Sequence, residues 1–273
     1  MWLAGIALFL LVLYVAIRLI VRRMIYDPVR FPVGWWHTQA ESGAQDLWLR
    51  ASDGTRLHAW WVDVPGSEIV TLYLHGNGGN LSHRPGHLRE MAAAGSAVLI
   101  FDYRGYGKSA GRPSERGLYR DAEAAYDYLI TTGYRPDQIV VHGESLGSAV
   151  AADLASRRPC AGVVLECPFT SLRAEAAALV PVAGPLFVSG FDTLQKICTV
   201  HAPLLIIHGD RDSVVPYAMG RELFEAANEP KTFWTAEGAD HTDIVEVAGL
   251  LYAECLRTFH EGLRPPRPEA TLA

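Results

Sequence analysis

Charge of neither sign dominates this 273-residue chain: 24 Lys and Arg stand against 30 Asp and Glu, a formal net charge of −6. With no long basic cluster there is no surface to track phosphates, and no nucleic-acid partner is expected. Cysteine is scarce as well. The four present, Cys160, Cys167, Cys198 and Cys255, make no C-x-x-C pair. Neither a structural zinc site nor a disulfide scaffold is implied, and they read as small buried hydrophobes. Apolar runs long enough for a bilayer are missing everywhere except the amino terminus. There, residues 2–21 (WLAGIALFLLVLYVAIRLIV) are interrupted only by Arg18. As a helix they would extend about 30 Å, enough to span, with Arg18 free to snorkel from near one end.

A cleaved signal peptide would carry its basic residues before the apolar run and a small-x-small site after it. Here Arg18, Arg22 and Arg23 follow the run instead, which favours an uncleaved transmembrane anchor over 1–23. Basic flanks stay on the cytoplasmic side, so the rest of the chain is expected to be cytoplasmic. Residues 24–44 read as an irregular juxtamembrane segment, in which Trp35 and Trp36 can lie at an interface or cover the edge of a domain.

Beyond it lies room for one α/β domain with a large core. Residues 46–50 and 56–63 alternate about the turn SDGT, as an antiparallel hairpin does. The runs 69–74, 97–101, 139–141, 163–165 and 204–207 are short and apolar throughout, the signature of strands buried on both faces. Helical stretches at 114–132 and 145–157 separate them, and a strand at 232–235 and a helix near 243–261 complete the pattern. The expected fold is therefore α/β: a mostly parallel, eight-stranded sheet with an antiparallel start and helices on both faces. In such sheets ligands bind beyond the carboxyl ends of the strands.

Two pentapeptides satisfy the pattern G-x-S-x-G, GKSAG at 107–111 and GESLG at 143–147. A nucleophile elbow needs a strand running into the first glycine and a helix leaving the serine. Ser145 has both, QIVVH before it and SLGSAVAADLASR after it, whereas Ser109 runs into Gly111 and Pro113, which forbid a helix. Ser145 is the candidate nucleophile. A serine hydroxyl needs a base, and the base a carboxylate to orient it, in the order Ser, Asp, His for this topology. Of the two aspartates in HGDRDSVVP, Asp212 is the preferred acid, because Asp210 directly follows the strand and Gly209 and looks placed to fix the loop. The plain alternative for this pair is a cap for the helix after Pro216. His241, in the late polar loop AEGADHTD, is the preferred base. His75, His142 and His208 lie beside strand ends and read as hydrogen-bonded scaffold. Oxyanion donors would be the backbone N–H groups of Leu146 and of Asn77 in HGNGGN.

The series LHGNGGN, FDYRGYGKSAGRPSERGL, VVHGESLGSA, ECPFTS and HGDRDSVVP, followed by ADH, resembles the Bem46-type branch of the α/β-hydrolase superfamily, which is membrane-anchored. The resemblance covers about residues 45–262. It implies an α/β-hydrolase fold and the triad Ser145, Asp212 and His241 with Asn77 and Leu146 as oxyanion donors. The activity it implies is hydrolysis of esters, thioesters or lipid acyl groups, but not which of them; no cofactor is expected, and tethering close to a bilayer, with an apolar stretch where a lid belongs, makes a lipid or lipidated protein an expected substrate. GADHTD departs from the G-x-H of many relatives. Asp102 and Arg104 in DYRGYG are expected to form a structural pair. The stretch 168–202 lies where the superfamily inserts a lid, and 263–273 reads as a flexible tail.

Other classes fit less well. GYGKS looks like the end of a phosphate-binding loop, but Asp102 stands where its first glycine belongs and no helix begins at Lys108. His83 and His87 have the spacing of two metal ligands, yet Pro85 and Gly86 interrupt the helix that would align them and no third ligand is evident, so no metal is expected. A serine aminopeptidase-like hydrolase and a non-catalytic membrane-tethered binding module remain as alternatives on the same scaffold.

Overall fold

The computed structural model describes residues 2–263; the tail expected beyond Leu263 lies outside the described residues. In chain order the strands are β1 (Asp27–Pro28), β2 (Gln45–Arg50), β3 (Arg56–Val62), β4 (Ile69–Leu74), β5 (Gly78–Gly79), β6 (Ser96–Phe101), β7 (Ile139–Glu144), β8 (Gly162–Glu166), β9 (Leu204–Gly209) and β10 (Lys231–Ala236). The helices are α1 (Trp2–Ile25), α2 (Thr38–Glu41), α3 (Pro85–Ala93), α4 (Glu115–Thr131), α5 (Leu146–Ala155), α6 (Leu172–Leu179), α7 (Gly184–Phe187), α8 (Thr193–Ile197), α9 (Tyr217–Ala226), α10 (Ile244–Ala248) and α11 (Leu250–Gly262).

Eight strands form the main sheet in the order β10-β9-β8-β7-β4-β6-β3-β2. All neighbouring pairs are parallel except β3 with β6 and β3 with β2, so β3 alone runs against the rest. The apolar runs are what two-sided burial requires: every residue of β4, β6 and β9 is buried. Alternate side chains feed two separate cores, as the two-residue period of a strand demands. Leu72, Val141, Val163 and Ile206 pack with Leu118, Tyr126, Val150 and Leu223 of α4, α5 and α9 on one face. Tyr73, Val140, Val164 and Leu205 pack with Leu88, Met91, Ile244 and Leu256 of α3, α10 and α11 on the other. Each large apolar side chain so buried contributes roughly 1.5–3 kcal/mol.

The chain passes from β4 to β6 and then back across β4 to β7. The switch of direction leaves a crevice beyond the carboxyl ends of β4 and β7, where the loop 75–80 and residue 145 lie. The last helix expected near 243–261 is two helices, α10 and α11, because Gly249 takes a φ of +54° between them.

Trp36 lies edge-on to Trp60 and covers that edge of the domain. Helix α1 exposes Leu8, Phe9, Leu10 and Leu11 and touches α7 through the rings of Tyr14 and Phe187, 5.6 Å apart. Among the described residues no helix is long and apolar enough to cross a membrane; the unbroken stretch of described side chains in α1, from Leu8 to Ile25, includes Arg18, Arg22 and Arg23. Helices α6, α7 and α8 occupy the stretch 168–202, with Leu179, Val180, Val182 and Leu186 exposed.

Candidate active site

Strand β7 ends in Gly143-Glu144, and Ser145 then takes φ +51° and ψ −115° before α5 begins at Leu146. A non-glycine residue at positive φ is strained. Three hydrogen bonds hold it there: Ser145 N–H donates to the Glu166 carbonyl (2.8 Å), and Ser148 Oγ donates to the Gly143 (2.7 Å) and Glu166 (3.0 Å) carbonyls. The flanking glycines serve close approach. A Cβ at Gly143 would overlap the Gly147 backbone, and one at Gly147 would overlap the Leu74 carbonyl.

The half-buried hydroxyl meets a base. Ser145 Oγ–H donates to His241 Nε2 at 2.9 Å, and His241 Nδ1–H donates to Asp212 Oδ2 at 2.8 Å. Asp212 is fully enclosed and accepts on its other oxygen from the Val214 (2.9 Å) and Val215 (2.7 Å) N–H groups, so it forms a turn and does not cap α9. Burial alone would raise its pKa, but bonds from His208, His241 and Val215 hold the carboxyl well below the usual range. Burial likewise works against a charged His241, and the hydrogen bond and charge of Asp212 outweigh it, raising the imidazole pKa. Asp210 accepts from Gly238 N–H at 2.6 Å and ties the two loops together.

The other histidines are bonded as scaffold, with one closer to the site than the sequence implies. His75 Nδ1 bonds the Gly76 carbonyl (2.8 Å), and His142 Nε2 bonds Glu166 (3.3 Å). His208 Nε2 lies 3.1 Å from the Val215 carbonyl and 3.2 Å from Asp212 Oδ2, a second donor to the acid.

The His75 contact bears on Asn77. A planar trans peptide points its C=O and N–H in opposite directions. Gripping the Gly76 carbonyl therefore also aims the Asn77 N–H. Asn77 and Leu146 follow the ends of β4 and β7, neighbouring parallel strands. Beneath them a buried network was not legible in the sequence. Glu144 accepts from Tyr73 Oη and Arg84 Nε, both at 2.6 Å, and Arg84 also donates to the Gly78 carbonyl at 3.2 Å. Glu166 accepts from His87 (3.0 Å) and Tyr252 (2.6 Å). The only signal for these was a carboxylate at the end of each of two apolar strands.

Ser109 is 5% exposed, and its Oγ donates to the Asp102 carbonyl (2.7 Å) and accepts from His58 N–H (2.8 Å). The expected Asp102–Arg104 pair does not form. Arg104 instead binds Asp53 and Asp121, while Asp102 accepts from Leu81 N–H. His83 is taken up in a capping box with Asn80, and His87 points to Glu166. Among the described residues, Cys167, Asp212 and His241 are the one group with converging potential metal ligands, and two of them belong to the chain ending at Ser145. A cavity of about 670 Å³ between β2 and α4 is lined by none of these residues.

A mostly parallel sheet with a strained serine at a strand-to-helix turn defines an α/β-hydrolase fold. The family model described as "Serine aminopeptidase, S33" matches residues 67–196. An uncharacterized protein of Mycobacterium tuberculosis is 38% identical over 243 residues, 87% of this chain and 86% of its own. Human alpha/beta hydrolase domain-containing protein 17B is 33% identical over 229 residues, 82% of this chain and 78% of its own. The chain belongs to the alpha/beta hydrolase domain-containing protein family. Among solved structures, a Pyrococcus furiosus esterase superposes with a TM-score of 0.71 at 23% identity, over 87% of this chain and 97% of that one. An α/β-hydrolase from Vibrio vulnificus does so with a TM-score of 0.68 at 24% identity, over 81% and 83%. At that identity the two structures bear on the fold alone.

Proposed function

We propose that the chain is a serine hydrolase of carboxylic esters, thioesters or lipid acyl groups, of the Bem46 type, acting through Ser145, His241 and Asp212. The observation that carries this reading is the unbroken hydrogen-bonded chain from a strained serine through His241 to an enclosed carboxylate. His241 Nε2 takes the Ser145 proton as Oγ bonds to the acyl carbon. The carbonyl oxygen, now an oxyanion, accepts from the N–H groups of Asn77 and Leu146, each donor worth about 10²–10³ in rate. Collapse breaks the bond to the leaving oxygen or sulfur, which takes the proton from His241 and leaves an acyl-Ser145. Water then gives its proton to His241 and its oxygen to the acyl carbon, and Ser145 recovers the proton as the acid departs. Asp212 stabilises the imidazolium throughout.

We further propose that residues 1–23 anchor the chain in a membrane with residues 45–262 on the cytoplasmic side, and that 168–202 act as a lid. A twenty-residue apolar run broken only by Arg18 near its end, with Arg22 and Arg23 after it, supports the anchor. A groove of about 440 Å³ between α1 and this segment has the size for an acyl chain; Leu19, Leu172, Phe187 and Phe191 give it apolar walls, and Arg18, Arg22 and Glu115 line it as well. A second reading, hydrolysis of amino-terminal peptide bonds, draws on the description of the matching family model. It would need an anion for the substrate's ammonium group, and Glu175 on α6 is the lid carboxyl electrostatically coupled to His241.

Labelling by a fluorophosphonate, followed by a chain-length series of acyl esters and thioesters beside aminoacyl arylamides, tests both. Ser145-dependent labelling with turnover of acyl esters is expected. Labelling that survives Ser145→Ala rejects the site. Arylamide turnover that exceeds ester turnover and is lost in Glu175→Gln selects the peptidase.

A further inference from the structure

The segment that joins α1 to the domain is built into the loop that carries Asn77. Asp27 and Pro28 of β1 pair in parallel with Gly78 and Gly79 of β5. Asp27 N–H donates to the Asn77 carbonyl at 3.3 Å, Val29 N–H donates to the Gly79 carbonyl at 3.0 Å, and Tyr106 Oη reaches the same Asn77 carbonyl at 2.9 Å. Asn80 Nδ2 closes the far end on the Val29 (3.0 Å) and Val33 (3.1 Å) carbonyls. The side chain of Asn77 itself points the other way along the segment. Its Nδ2 donates to the Met24 carbonyl at 3.3 Å, one of the carbonyls that the last turn of α1 leaves without a helical partner.

We infer that Asn77 is a positioning residue with two ends: its side chain caps the carboxyl terminus of α1, and that contact, with β1, fixes the backbone N–H beside Ser145. The inference rests on the acyl-transfer reading of the site. It accounts for an asparagine at a position where the backbone alone takes part in the reaction. Its consequence is that α1 and the candidate oxyanion donor are mechanically one unit, so what disturbs the helix end is felt at the transition state. Displacing a donor costs less than removing it, which takes 10²–10³ from kcat. About tenfold is expected for loss of the cap.

The test is a double-mutant cycle on full-length protein in detergent, using Asn77→Ala, deletion of residues 1–25, which takes away the Met24 carbonyl, and both together. The readouts are the rate of fluorophosphonate labelling and kcat and KM for a soluble aryl ester. Each single change should lower kcat and the labelling rate about tenfold with KM within about twofold, and the double variant should be no slower than either, because both remove one contact. Asn77→Asp, of the same size but with no second donor, replaces Asn77→Ala if that variant does not fold. Wild-type kcat in either single variant, an effect confined to KM, or a double variant slower by the product of the two overturns the inference. Labelling that persists in Ser145→Ala would instead reject the reading of the site itself.

Discussion

GESLG and GKSAG contain the same pattern and do opposite things with it. In GESLG the glycines make room: a side chain at Gly143 or Gly147 would strike backbone, and the serine between them takes the positive φ. In GKSAG the glycines take the positive φ themselves, +42° at Gly107 and +86° at Gly111, and the serine is relaxed and bonded on both sides. One arrangement pushes a hydroxyl out toward a base. The other uses a hydroxyl as a strut between Asp102 and β3. The pattern therefore records a need for small residues, and the place of the strain decides whether the serine is free to react.

The comparison breaks most sharply at the hydroxyls. Ser145→Ala should lower turnover by about 10⁶-fold and abolish fluorophosphonate labelling, while Ser109→Ala stays labelled. Labelling lost only in a folded Ser109→Ala protein would reverse the assignment. Next in size is the acid. Asp212→Asn leaves His241 with the wrong tautomer and should reduce kcat by about 10⁴-fold, whereas Asp210→Asn only loosens the bond to Gly238 and should stay within about tenfold. Steady-state kinetics that rank the two the other way would move the acid to Asp210. Ser109→Ala should then register in stability: it strips the acceptor from the His58 N–H in the core, at about 1–3 kcal/mol. A denaturant midpoint equal to wild type would mean that the strut carries nothing.

What could be read from the chain followed the range of the interactions. The central strands are legible because burial on both faces writes short apolar runs such as 69–74 and 97–101, the first hairpin because its residues alternate about SDGT, and the elbow because strand, turn and helix are contiguous. The preference for Asp212 over Asp210 rested on position alone, since one follows Gly209 directly. The Asp102–Arg104 pair was misread because nearness in sequence suggested a partner that Asp53 and Asp121 supply from elsewhere in the fold. Strand β1 left no trace: two residues, one of them proline, have no periodicity to detect. The break at Gly249 within the one helix expected near 243–261 left no trace either, since a positive φ has no signature beyond the glycine itself.

The smallest effect sharpens the comparison electrostatically, because Ser145 has a base to titrate and Ser109 has none. His241 must be neutral to accept the serine proton, and its pKa lies above the ordinary histidine value. The rate should climb about tenfold per pH unit below that pKa and level off above it. Among the groups raising it, after Asp212, are the carboxyls of Glu144 and Glu175. Burial, opposed by His241 and reinforced by Asp212, pushes Glu175 up to about 7. Its negative charge therefore develops as the pH rises through about 7. Glu175→Gln removes that charge, so His241 should give up its proton at lower pH. The acid limb of kcat/KM should shift to lower pH, raising the rate at a fixed pH on that limb. The plateau should stay unchanged, since the substitution leaves the bonds among Ser145, His241 and Asp212 in place. A limb that moves to higher pH, or does not move, would mean that the Glu175 carboxyl on α6 is too far or too well hydrated to act on the base.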